Sequence, residues 1–102
     1  VMGDGSILCR VPVLVDTSTS LTVAATDSNK LITTSNAGAV TVLLPAGSTG
    51  LLYRFKNKGV GAATLTPNGS EKLFTTVQVA SLAMVTGDAQ TIAWDGTDWC
   101  VL

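Results

Sequence analysis

Hydrophobic and polar positions alternate with a period of two through most of this chain, in short runs closed by Gly, Pro, Asn or Asp. The clearest run is Ala39-Val40-Thr41-Val42-Leu43-Leu44, ended by Pro45, and Leu51-Leu52-Tyr53-Arg54-Phe55-Lys56-Asn57 follows after a small loop. Such alternation marks strands with one buried face. Val40, Val42 and Leu44 form one side of the first run; Leu51, Tyr53 and Phe55 share a face of the second. The same reading gives strands over 21–25, 30–34, 62–66, 81–86, 90–94 and 99–102, with a less regular stretch over 71–79. Asn68-Gly69 is the strongest turn signal, because both residues adopt positive φ cheaply. Asp95-Gly96-Thr97-Asp98 predicts a hairpin between the last two strands.

Ile7 to Val15 also alternates, placing Ile7, Cys9, Val11, Val13 and Val15 on one side and Leu8, Arg10, Pro12 and Leu14 on the other. Pro12 cannot donate a ladder hydrogen bond, which predicts an edge strand or an extended arm. The chain therefore divides into an N-terminal arm and edge strand (1–19) and a β-sandwich domain (20–102). No segment is long enough for a crossover helix, which argues against parallel βαβ units. The expected fold is all-β: an antiparallel, jelly-roll-like β-sandwich of about eight short strands.

Composition adds one constraint. At 102 residues the chain is a single domain. Only 13% of residues are charged, and 46% are hydrophobic. An ordinary soluble domain carries about 25% charged residues. A small domain this poor in charge exposes apolar area, which packing against other copies or a larger assembly removes from water. With a net charge of −1 and no basic stripe, nucleic acid is not an expected partner. No apolar run approaches the ~18 residues that cross a bilayer, and no membrane association is expected.

Candidate chemistry is sparse. The chain has no histidine, which removes Ser-His-Asp and Cys-His nucleophiles and His metal sites. Asp95 and Asp98 are the tightest acidic pair, but they flank a turn, where Asp is a structural residue. Gly59-Val60-Gly61 lacks the Lys-Ser/Thr of a phosphate-binding loop. Cys9 and Cys100 read as two buried thiols rather than a bridge, and two ligands do not make a zinc site. No enzyme, cofactor or metal is expected. Trp99 with Asp95 and Asp98 could contact a sugar if the indole were exposed, and Trp94 and Tyr53 are further aromatics of this kind. The plainer reading places these rings in the core.

The order Asn36-Ala37-Gly38-Ala39-Val40-Thr41-Val42-Leu43-Leu44-Pro45, then Tyr53-Arg54-Phe55-Lys56-Asn57-Lys58-Gly59, then Ala63-Thr64-Leu65-Thr66-Pro67-Asn68-Gly69, then Asp95-Gly96-Thr97-Asp98-Trp99 resembles the small β modules of tailed-bacteriophage virion proteins. The resemblance covers Leu21 to Leu102. It implies a non-enzymatic role in the virion, as a homotrimeric surface module: a capsid decoration or head-fibre protein, or a tail-fibre or spike component. Its partners would be its own copies and other virion proteins of capsid or tail. An arm containing Ile7, Leu8, Val11, Val13 and Leu14 could then dock on a neighbour by strand addition. A carbohydrate-binding module is the alternative expectation.

Overall fold

The computed structural model describes residues 12–102. Eleven strands occupy this stretch: β1 (Val13–Asp16), β2 (Ser20–Thr22), β3 (Leu31–Thr34), β4 (Val40–Leu43), β5 (Leu52–Asn57), β6 (Ala63–Thr66), β7 (Leu73–Phe74), β8 (Gln78–Val79), β9 (Leu82–Met84), β10 (Ala89–Trp94) and β11 (Trp99–Val101). The only helical element among the described residues is a single 3-10 turn at Ala25–Asp27.

The strands form two sheets, one of seven strands in the order β1-β3-β5-β10-β11-β7-β8 and one of four in the order β2-β4-β6-β9. From β1 to β6 the chain alternates between the sheets, one strand in each. β1 pairs parallel with β3 and β3 with β5; β2 pairs parallel with β4 and β4 with β6. Each odd–even pair is thus one coil, and three coils stack in register. The stack then ends: β9 runs antiparallel to β6, and β10 runs antiparallel to β5. β11 forms a hairpin with β10, β7 lies parallel to β11, and β8 folds back on β7.

This solenoid-like stack corrects the antiparallel jelly-roll sandwich that the sequence suggests. Parallel strands need a crossover of about a dozen residues or more, commonly a helix. Here the crossover is a strand of the opposite sheet together with its two corners. Absence of helices therefore does not exclude parallel pairing. Most strands lie near where alternation put them, although the run 21–25 ends in the 3-10 turn at Ala25–Asp27; β10 and β11 form the expected hairpin across Asp95–Asp98, while β1 to β6 pair in parallel.

Stacking makes side chains repeat in columns. Leu14, Ile32 and Phe55 form one inward column, and Leu21, Val42 and Leu65 face them from the other sheet. Ile32, Phe55, Val42 and Leu65 are buried between the sheets with Val40, Tyr53, Ala63, Met84, Ile92 and Trp99. Leu14 and Leu21, in the first coil, pack against this core but stay partly exposed.

The corner from the seven-stranded to the four-stranded sheet shows why particular residues are required. Gly59 and Gly61 of the third coil sit directly on Asn36 and Gly38 of the second. A Cβ at Gly59 would strike the Asn36 backbone, and one at Gly61 would strike the Gly38 carbonyl. Only glycine permits the coils to approach this closely.

Candidate functional site

The final hairpin brings Asp95, Asp98 and Trp99 together but assigns each a structural task. The Asp95 Oδ1 accepts the backbone N–H of Thr97 at 2.8 Å and of Asp98 at 2.7 Å. Its Oδ2 accepts the Cys100 thiol at 3.2 Å. Gly96 takes φ +103° at the tip, a left-handed conformation that glycine adopts freely. The Asp98 and Thr97 N–H groups, and then the thiol, hold the Asp95 carboxyl below the usual aspartate range. The same hydrogen bond from the thiol to a carboxylate pushes the Cys100 pKa up, which disfavours the reactive thiolate.

Asp98 is nearly enclosed, and its Oδ1 accepts from Gln78 Nε2 at 3.0 Å, tying the tip to β8. Trp99 is 0% exposed. Its ring lies 5.8 Å from Tyr53 and 5.5 Å from Trp94, the latter edge-on. Trp94 is half-buried, with Gly47 so close to its indole that a Cβ there would overlap the ring. Trp99 therefore presents no ring face to a sugar, and the two aspartates beside it are engaged by the turn and by β8.

The arm residues divide. Ile7, Leu8, Val11 and Cys9 lie outside the described residues. Val13 and Leu14 belong to β1, the edge strand of the seven-stranded sheet. Leu14 points inward against the core, whereas Val13 and Val15 point outward and are 55% and 67% exposed.

A polar cluster that alternation alone does not reveal lies at the glycine corner. Thr34 and Asn57, aligned across β3 and β5, are both fully buried. Asn57 Oδ1 accepts the Thr34 hydroxyl at 3.2 Å and the Gly59 N–H at 3.1 Å. Asn57 Nδ2 donates to Gly61 O at 2.9 Å and Met84 O at 2.8 Å. Both functions of the amide are satisfied, so the cluster is a clamp rather than a binding site. Thr34-x-Asn36-x-Gly38 and Asn57-x-Gly59-x-Gly61, stacked position on position in consecutive coils, are the sequence signal that marks it.

No cleft able to hold a small ligand occurs among the described residues, and no group of three or more metal-ligating side chains occurs there either. What remains distinctive is the contrast between the outer faces of the two sheets. The four-stranded sheet turns Ser20, Thr22, Thr41, Thr64 and Thr66 outward, with Leu43 among them. The outer face of the seven-stranded sheet is apolar over much of its width. Val13 stands beside Leu31, Leu52 beside Ala93, and Phe74 beside Cys100. Arg54 and Lys56 are the cations on this face, and both are half-buried. Arg54 donates to the Asn29 carbonyl at 2.8 Å and Lys56 to the Gly87 carbonyl at 2.6 Å. Their charges are held against the protein's own backbone.

Comparison with protein families, curated proteins and solved structures finds no match to this chain.

Proposed function

We propose that this chain is a non-enzymatic structural module of a tailed-bacteriophage virion, assembled as a homotrimer through the outer face of its seven-stranded sheet. The observation that carries this reading is the pairing of that apolar face with a chain of very low charge. Phe74 is 41% exposed, on the same sheet as the outward valines of β1, and Leu102, just past β11, is 74% exposed. Exposed apolar area of this kind is removed from water when the face packs against another protein surface. The sequence resemblance to virion β modules supplies the class of assembly, and the engaged state of Asp95, Asp98 and Cys100 favours a structural role over a chemical one.

Sedimentation of the purified chain at micromolar concentration tests the reading. Three times the chain mass is expected, falling to the chain mass in Val15→Glu and Phe74→Glu variants with unchanged circular dichroism. A monomeric wild-type chain overturns it.

A further inference from the structure

The turn that follows β6 carries a reactive pair that neither the coil stack nor the assembly uses. Asn68 is exposed, and its side chain makes no hydrogen bond among the described residues. Gly69 follows at φ +55°, and its N–H is likewise unbonded there. A Cβ built on Gly69 would meet nothing within 4 Å, so no neighbour shields its nitrogen. An asparagine amide beside an unhindered, exposed peptide nitrogen is open to attack by that nitrogen, which is one reason asparagine is heat-labile.

The other three asparagines of the chain are protected. The N–H groups that follow Asn29 and Asn57 are engaged: Lys30 donates to the Asp27 carbonyl at 3.1 Å and Lys58 to the Thr34 carbonyl at 2.7 Å. Asn36 is tied at both ends of its amide. Its Nδ2 donates to the Thr17 carbonyl at 2.7 Å, and its Oδ1 accepts the Gly38 N–H at 2.8 Å.

The turn also holds a latch. The Asn68 carbonyl accepts the Glu71 N–H at 3.0 Å. The Glu71 carboxylate oxygens accept the Gly47 N–H at 3.1 and 3.0 Å, and Gly47 lies against the Trp94 indole. Both flanks are fixed: the Thr66 carbonyl accepts the Leu44 N–H and the Lys72 carbonyl accepts the Trp99 N–H, each at 2.9 Å. Pro67 is buried, so any lengthening of the chain between these flanks falls on 68–71.

We propose that Asn68-Gly69 is a site of spontaneous deamidation, and that its isoaspartyl product releases Gly47 from Glu71 and uncovers Trp94. The Gly69 nitrogen gives its proton to solvent base and attacks Asn68 Cγ. A succinimide ring closes, and the side-chain nitrogen departs as ammonia. Water then opens the ring at either carbonyl. Opening at Cγ gives aspartate. Opening at the main-chain carbonyl gives isoaspartate, whose chain runs through Cβ and Cγ and is one carbon longer. The former Asn68 carbonyl becomes a pendant carboxylate, and the Glu71 N–H loses its peptide acceptor. The inference is independent of how the chain assembles.

Peptide mapping of the full chain after prolonged incubation at mildly alkaline pH tests the site. Trypsin releases residues 59–72, which hold Asn68 and no other amide side chain. That peptide is expected to gain the mass difference between an amide and an acid, and to split into aspartyl and isoaspartyl forms. The peptides carrying Asn29 and Asn36 should keep their masses, and intact Asn68→Gln should keep its own. Acrylamide should quench tryptophan emission more strongly in the aged wild type than in the fresh chain, with no such increase in Asn68→Gln. Fresh Asn68→Asp, which adds the charge at normal chain length, should quench as the fresh wild type does. A 59–72 peptide of constant mass, or an Asn68→Gln mass that rises, overturns the site. Deamidation without stronger quenching, or fresh Asn68→Asp quenching like the aged chain, overturns the release of Trp94.

Discussion

The amide of Asn57 donates to the backbone carbonyl of Met84 across 2.8 Å, joining the third coil to the antiparallel strand that closes the stack. Met84 pairs with Ala63 in the four-stranded sheet, whereas Asn57 ends β5 in the other. One buried side chain thus fastens both sheets at the point where parallel stacking gives way to antiparallel.

Asn57→Ala is expected to be among the most destabilising single changes. It strands the Gly61 and Met84 carbonyls, the Gly59 N–H and the Thr34 hydroxyl in the interior. Each buried group left without a partner costs about 1–3 kcal/mol. A loss of at least about 3 kcal/mol in urea unfolding is expected, and a change below about 1 kcal/mol would show that the clamp is unimportant.

The glycines of the same corner provide a contrast. Gly61→Ala forces a methyl into the Gly38 carbonyl, with backbone on both sides and no side chain to move aside. Overpacking of this kind costs about 1–3 kcal/mol. Gly38→Ala meets only Asn36 Oδ1 at 3.5 Å, an ordinary contact, and should leave the midpoint of denaturation nearly unchanged. Equal effects of the two substitutions would contradict the tight coil-to-coil approach.

Acid titration should expose the Asp95 turn. Its carboxyl is held below its unfolded value, so its contribution to stability is complete above about pH 4. That contribution disappears as the pH falls through the lower, folded pKa. Wild type should therefore be more stable than Asp95→Ala at neutral pH, and the gap should close on acidification. Asp27 follows the same rule: its pKa is lowered first by the hydrogen bond from Lys30, whose Nζ lies 2.6 Å away, and then by the Ala24 N–H. A gap that stays constant from neutral pH to pH 2 would refute the assignment for Asp95.

Alkylation kinetics read the other end of that hydrogen bond. In a Cys9→Ser background, Cys100 should react slowly with iodoacetamide at mildly alkaline pH, since the Asp95 carboxylate disfavours the thiolate. Asp95→Asn removes the charge and should accelerate the reaction several-fold. A rate that does not change would place the thiol outside the reach of that carboxylate.

The strands were legible because each buries one face, and a period of two records that directly. Val40, Val42, Tyr53 and Phe55 all lie inward as the alternation requires. Pairing was not legible in the same way. A strand's inward residues look alike whether its neighbour runs parallel or antiparallel, and the chain's turn residues fit both. The information lay instead in a spacing: Ile32, Thr34, Asn36, Gly38, Val40 and Val42 match Phe55, Asn57, Gly59, Gly61, Ala63 and Leu65 at one constant offset. Alternation puts Asn57 on the inward face with Tyr53 and Phe55, but the partners of its buried amide are visible only once the coils are superposed. Trp99 is fully buried, as the core reading of it requires, because a large aromatic in a small β domain has few other places to go.

The constant offset between the second and third coils has an implication for descent. Inserting one more such unit would lengthen the molecule by roughly 4.8 Å, the distance between neighbouring strands. The inserted unit would find its own binding faces already formed above and below it. Tandem duplication of a short genetic segment could thus produce taller variants without inventing a new interior.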